Sequence, residues 1–208
     1  MLIDKMLIPN YFSMGIEFLS TGDDGMEQVL AFDRMQCIIE TMMSGAVFAN
    51  VSNPLVPKLH KNFSAYIVTL PAEPIYYIIA ATLFSKLISV VEGRLIVDSV
   101  SLSSKMGSDI INIIHEDELA GMDWMSKHPI KDATGNDAWW HRTDAGCTDI
   151  LLPGKDRSTV IHDVQYWKIF ELDWNSAKSP VDTKEAQVVK FPDKWKPRII
   201  DGGKNDKG

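Results

Sequence analysis

The chain has 208 residues, of which 45% are hydrophobic and 24% are charged, with 21 lysine and arginine residues against 28 aspartate and glutamate residues. A chain of this length can bury a core without disulfides or a metal, and its composition excludes collagen-like, wholly disordered and cysteine-stapled classes. The two cysteines, Cys37 and Cys147, are expected to be reduced and buried. The sequence contains no complete catalytic or ligand-binding motif.

The negative charge is unevenly distributed. Residues 175–208 contain eight basic and five acidic residues, a net charge of +3, which leaves −10 on residues 1–174 from the total of −7. An acidic body repels phosphate backbones and anionic lipid, so we expect no general nucleic-acid binding. The charge division predicts an acidic body with a mildly basic C-terminal arm.

The first predicted helix begins at Asp24, where Glu27 completes a capping-box pattern. Apolar residues then recur in steps of three and four, which predicts an amphipathic helix of about 20 residues. Core packing of this apolar face is favoured over a methionine-rich partner groove. The face consists of Val29, Phe32, Met35, Ile39, Met42 and Ala46.

The run from Ile75 to Val91 is the most apolar part of the chain. A membrane-spanning helix needs about 20 apolar residues, and Lys86 would be costly within it, so we expect a buried helix of a soluble core and no membrane span. The N-terminus is interrupted by Asp4, Lys5 and Pro9, which is not typical of a signal peptide.

Strands are predicted on both sides of this helix and again after residue 136. They cover Phe63–Leu70, Leu95–Leu102, Ile110–Ile114, Ala138–Thr143 and Thr148–Leu152, with a short acidic helix at Asp117–Lys127. Alternation in the fourth of these strands places Trp139 and Trp140 on opposite faces, one in the core and the other exposed or at an interface. The run Thr159–Asp173 would form a strand about 50 Å long, which must bend or project from the domain.

These elements predict an α+β fold with two main helices on a mixed or antiparallel sheet, a β-rich C-terminal half and an extended C-terminal arm. Residues 1–174 form a single domain, with subdivision near 130–136 as the alternative, and residues 175–208 form the arm. The arm carries the predicted partner-binding residues Lys190, Phe191, Lys194, Trp195, Lys196 and Arg198.

Histidines beside acidic residues are the candidate metal ligands. They occur at 115–118, at His141 with Asp144, and at His162 with Asp163. Imidazole and carboxylate groups can hold a divalent ion and generate hydroxide, but none of these clusters has a spacing such as HExxH. The first cluster also fits the acidic start of a helix, and His162 fits a structural histidine.

Other candidate sites are weaker still. Cys147 lies near His141 in sequence, but no third residue completes a nucleophilic site. The acidic loop Gly22–Gly25 does not resemble a phosphate cradle. Trp139 and Trp140, followed by a histidine and an arginine, could stack on a base or sugar. The sequence therefore assigns no catalytic residue, cofactor or metal ligand.

Three functional hypotheses remain open. The leading one is a non-enzymatic structural or assembly subunit that contacts copies of itself or other proteins. It is placed in the cell interior as a soluble protein, and by analogy in a phage head, neck or tail. The rival is a metal-dependent hydrolase using His115, Glu116, His141 and Asp144. The third is a small-ligand or inhibitor-type binding protein.

Overall fold

A computed structural model describes residues 1–22, 25–62, 66–106, 110–120, 137–152 and 160–174. Its strands are β1 (Leu2–Ile3), β2 (Met6–Leu7), β3 (Phe12–Ser20), β4 (Val47–Asn50), β5 (Ile67–Leu70), β6 (Leu95–Ser104), β7 (Ile111–His115), β8 (Thr148–Leu151) and β9 (Val160–Asp163). Its α-helices are α1 (Gly25–Gln36), α2 (Val56–Asn62), α3 (Tyr76–Val91) and α4 (Glu116–Ala120). A π-helix, Cys37–Met43, continues α1, and 3₁₀ helices cover Trp139–His141 and Trp167–Phe170.

The described strands form three sheets, which confirms the predicted α+β class with mixed and antiparallel pairing. The first sheet has the order β2-β1-β4-β5, in which β1 and β2 are antiparallel while β4 lies parallel to both β1 and β5. The second, β3-β6-β7, and the third, β8-β9, are antiparallel. The third sheet joins the first through hydrogen bonds from Thr69 and Asp149.

Helix α3 is the centre of the core, as its apolar sequence predicts. Every residue from Ile78 to Leu87 is buried, and the helix packs against α1, β5, β6 and β7. It ends at Glu92 and Gly93, which both have positive φ angles, a conformation that glycine adopts at little cost. Among the described helices, none combines the length and apolar character that crossing a membrane requires.

Helix α1 and the π-helix that continues it bury part of the face that the apolar spacing predicts, including Met35 and Met42. Val29 is 62% exposed and Phe32 is 45% exposed, so the predicted core face is wrong at these positions. Outside the predicted face, α1 also buries Glu27, Ala31 and Arg34. The two charged residues can be buried because each forms an ion pair with a partner at the far end of α3.

The predicted strand Ala138–Thr143 is wrong. Residues 139–141 form a 3₁₀ helix, and both Trp139 and Trp140 are fully buried, so neither is the exposed residue that alternation requires. The indole N–H of Trp139 donates to the carbonyl oxygen of Thr69 at 2.6 Å. This bond ties the segment to β5. A contact with a residue 70 positions away cannot be predicted from the alternation of residues within the segment.

The predicted long strand over 159–173 is also wrong. Only Val160–Asp163 forms a strand, and the chain then turns into a 3₁₀ helix at Trp167. The Trp167 indole N–H donates to the Thr143 carbonyl at 2.6 Å, which draws the chain back onto the body. A projecting strand therefore provides no argument for assembly.

Several predictions lie outside the described residues. They are the C-terminal arm 175–208, the subdivision near 130–136, the first three residues of the strand predicted at Phe63–Leu70, and the acidic helix beyond Ala120. The predicted partner-binding residues from Lys190 to Arg198 also lie there.

Candidate functional site

The residues of the predicted metal-dependent hydrolase do not form a site. His115 is exposed at the end of β7 and Glu116 is exposed at the start of α4. Asp144 accepts a hydrogen bond from Nε of Arg142 at 2.8 Å, and His141 lies in the 3₁₀ helix before it. In the parts of the chain that the structure describes, no three His, Cys, Asp or Glu side chains are grouped to hold a metal ion. His115, Glu116, His141 and Asp144 are therefore not grouped as a metal site.

Arg142 connects the polar side chains of the C-terminal half. Its guanidinium donates to Asp144, and its Nη1 donates to Asp149 Oδ1 at 2.6 Å. His162 Nδ1 lies 2.6 Å from the same Asp149 oxygen, and the Trp139 amide donates to the other at 2.8 Å. Burial lowers the pKa of Arg142, but the two carboxylates outweigh it and raise that pKa. His162 thus belongs to an internal ion-pair network, in agreement with the structural interpretation of its sequence position.

Lys86 is buried in the core of the protein with no exposed surface. Its Nζ donates to the carbonyl oxygens of Trp139 at 3.0 Å, Arg142 at 2.9 Å and Asp144 at 2.5 Å. Burial lowers the pKa of the ammonium to about 8, against the raising effect of Cys147 and Asp144. The three carbonyls use all three donors of the ammonium, so Lys86 joins α3 to the 139–144 segment.

Two serines of α3 contact the same segment. The hydroxyls of Ser85 and Ser89 both donate to the Trp140 carbonyl oxygen, at 3.2 and 3.1 Å. The Ser85 Oγ also lies 3.2 Å from Nδ1 of His141. Ser85, Lys86 and Ser89, three of the polar positions that interrupt the apolar sequence of α3, therefore hold the 139–144 segment in place.

Cys147 lies beside Lys86 and is buried, as is Cys37, as the sequence predicts. Burial raises the pKa of the Cys147 thiol to about 12, although the lysine charge lowers it. The thiolate is the nucleophilic form of cysteine, so this thiol is unsuited to nucleophilic catalysis.

A second polar cluster surrounds Trp174, the last residue of the chain that the structure describes. The ring lies between two guanidiniums, with Cζ of Arg34 3.5 Å and Cζ of Arg94 3.8 Å from its centroid. The indole N–H donates to Glu92 Oε1 at 2.8 Å. We call Arg34, Glu92, Arg94 and Trp174 the Trp174 clamp. Arg34 also donates to the carbonyl of Leu172 at 2.8 Å, so the chain is held at two successive points.

Ion pairs balance the two arginines of the clamp. Arg34 pairs with Glu92 and Arg94 pairs with Glu27, both at 2.9 Å, and both arginine side chains are buried. Burial lowers the pKa of Arg34 to about 10, despite the carboxylate of Glu92. Stacked guanidiniums contribute cation–π attraction in addition to these pairs. No pattern in the sequence indicates a role for Trp174, because its partners are far away along the chain.

An apolar cleft of about 690 Å³ lies between the N-terminal segment, β3, the π-helix and α3. Its lining includes Leu7, Ile8, Phe12, Met14, Ile39, Met43, Ile79 and Leu83. Tyr11 on its rim is 68% exposed. Asn10 also lines the cleft, but its side chain accepts from Ser104 at 2.6 Å and lies 3.4 Å from the Tyr76 hydroxyl. The lining therefore suits apolar side chains better than an oriented polar ligand.

Comparison of the chain with protein-family models, with curated proteins and with solved structures gave no match. The geometry defines an α+β protein in which the Lys86 and Arg142 networks are occupied by internal partners. In the described chain, the Trp174 clamp holds the residue that precedes the C-terminal extension, and the apolar cleft offers a surface on which another segment could bind.

Proposed function

We propose that this protein is a non-enzymatic assembly subunit that uses residues 175–208 to contact neighbouring copies of itself. The contact residues would be Lys190, Phe191, Lys194, Trp195, Lys196 and Arg198. The Trp174 clamp is the observation that carries this proposal, because it fixes the residue at which the arm begins.

The clamp holds the chain immediately before the last 34 residues. Two stacked arginines and a carboxylate hold Trp174 against the body. An arm that begins at an anchored residue loses less conformational entropy on binding than one that begins at a loose terminus. Anchoring thus favours use of the following segment in a contact.

The charge distribution also favours contact between copies. Residues 1–174 carry a net charge of −10 and residues 175–208 carry +3, so the arm of one copy is attracted to the body of another. Such attraction between exposed charges is screened at high ionic strength. Specificity would then depend on the apolar anchors Phe191 and Trp195.

The internal networks support a role without catalysis. Lys86 and Asp149 are fully buried, and both, together with the partly buried Arg142, are bound by groups of the same chain. Catalytic groups need access to a substrate, whereas Lys86 and Asp149 have no exposed surface. Their contacts are those expected of residues that stabilise a fold.

The native mass of the full-length protein tests the proposal. Light scattering should give a mass above the 23.3 kDa of one chain. Replacing Lys190 and Lys194 together by glutamate should lower that mass towards one chain, since both flank the aromatic anchors. The matched control reverses Lys178 and Lys204 instead, which changes the net charge equally at positions away from the anchors.

The control variant is expected to keep the mass of the unmodified protein. A mass of 23.3 kDa for the unmodified protein across micromolar to millimolar concentrations would contradict the proposed self-association. An equal loss of mass in both variants would show that net charge alone, and not the anchored segment, causes association.

A further inference from the structure

We infer that the apolar cleft is the docking site for residues 188–195 of this chain, with Phe191 and Trp195 as the side chains that enter it. The inference extends the proposed role of the arm and rests on the arm being a contact element. It assigns a binding site on the body to a segment whose composition is not expected to form a core by itself.

The cleft matches the segment in size and chemistry. Its volume of about 690 Å³ lies within the range of about 300–1,000 Å³ that is usual for binding pockets. An aromatic side chain buries about 150–250 Å² when it enters such a site. Leu7, Ile8 and Met43 of the lining offer apolar contacts, and methionine adapts well to aromatic rings.

The rim of the cleft carries exposed apolar side chains. Leu7 and Tyr11 of the lining are more than half exposed, as is the neighbouring Met6. The short strand β2 at the edge of the first sheet contains two of them. Exposed apolar side chains beside an apolar cleft mark an interaction site more often than side chains scattered singly do.

The arm is long enough to reach the cleft from the Trp174 clamp. The clamp lies at Glu92, beyond the C-terminal end of α3, whereas Ile79 and Leu83 of the same helix line the cleft. At 1.5 Å per residue these positions are about 14–20 Å apart along the helix. The 16 residues from 175 to 190 have a root-mean-square span of about 22 Å and a maximum of about 55 Å.

This span makes docking effective for a weakly binding segment. A tether whose mean span matches the distance between two sites supplies an effective concentration of about a millimolar or more. In an assembly the arm could instead enter the cleft of an adjacent copy. Docking within one chain and docking between two chains therefore use the same contacts and can be separated by experiment.

Cysteine cross-linking in the full-length protein tests the inference. Tyr11→Cys places a thiol on the rim, and Lys194→Cys places one between the two aromatic anchors. The matched control pairs Lys194→Cys with Met26→Cys, which is 72% exposed on the first turn of α1. Oxidation with diamide followed by non-reducing electrophoresis measures the rate and distinguishes cross-links within one chain from those between two.

The rim pair should form its disulfide at least about tenfold faster than the control pair. Adding Phe191→Ser and Trp195→Ser should remove that difference, because each buried aromatic side chain is worth about tenfold to hundredfold in binding. Ile8→Arg changes the cleft and not the arm, and it should also remove the difference in cross-linking rate.

The possible results separate this inference from the assembly proposal. Fast cross-links between two chains support both. Fast cross-links within one chain support the cleft as the docking site and contradict contact with neighbouring copies. Equal rates for the two pairs, or a rim rate that the aromatic substitutions do not change, would overturn the cleft inference, even if native mass still depended on the arm.

Discussion

Replacing Lys86 by methionine is expected to destabilise the protein strongly. Methionine retains most of the apolar stem and fits a buried helix position, but it lacks the ammonium. The carbonyls of Trp139, Arg142 and Asp144 then lose the donor that lies 2.5–3.0 Å from each of them. The substitution therefore isolates the polar contribution of Lys86 from the packing of its side chain.

The size of the effect follows from two opposing terms. A buried acceptor left without a donor costs about 1–3 kcal/mol, and three such carbonyls are affected. Removing the buried ammonium recovers part of this cost, since burying a charge is unfavourable in itself. We expect a net loss of about 3 kcal/mol in the free energy of unfolding, which is a large part of the usual 5–15 kcal/mol.

Urea unfolding followed by near-ultraviolet circular dichroism measures this loss at the buried tryptophans. With a denaturant slope of about 2 kcal/mol per molar, the midpoint should fall by about 1.5 M. Lys61→Met, at an exposed position of α2, is the control and should change the free energy by less than about 0.5 kcal/mol. A Lys86→Met variant that matches this control would refute the assignment of Lys86 as a stabilising donor.

Three further results are expected. The folded pKa of Lys86 is about 8 against an ordinary 10.5, so the unfolded chain binds more protons between these values. The stability of the unmodified protein relative to Lys86→Met should therefore rise from pH 7.5 to pH 9.5, and a flat difference would contradict the lowered pKa. The Cys147 thiol, with its pKa raised to about 12, should react with disulfide reagents at pH 8 no faster than the protein unfolds. Rapid labelling of Cys147 in native buffer would contradict its burial. Trp174→Ala should lower the free energy of unfolding by about 2 kcal/mol, and Trp174→Phe by about half as much because a stacked ring remains. Equal losses in the two Trp174 variants, measured by urea unfolding, would argue against stacking on the arginines.

The Lys86 contacts and the Trp174 clamp both attach the C-terminal half of the chain to helix α3. Lys86 connects the central helix to the 139–144 segment, and the Trp174 clamp connects the end of the same helix to the end of the described chain. The C-terminal half has short strands and few long apolar runs. Directed hydrogen bonds and ion pairs therefore attach it to the α3 core where apolar periodicity is weak.

Local patterns in the sequence determined the elements that bury one continuous apolar surface. Helix α3 and strands β6 and β7 lie within a few residues of their predicted positions. Their signals are local, because apolar spacing, proline and glycine act on neighbouring residues. Lys86 also stood out in the sequence as a charge within an apolar run, although its partners could not be predicted.

Tertiary contacts decided the rest. The buried face of α1 depends on pairs between Arg34 and Glu92 and between Glu27 and Arg94, which are 58 and 67 residues apart. The turn at Trp167 depends on a carbonyl 24 residues earlier. Hydrogen bonds and ion pairs across such separations leave no periodic trace in the sequence. The α+β class and the central helix could thus be predicted from the sequence, whereas the clamp and the cleft exist only where distant segments meet.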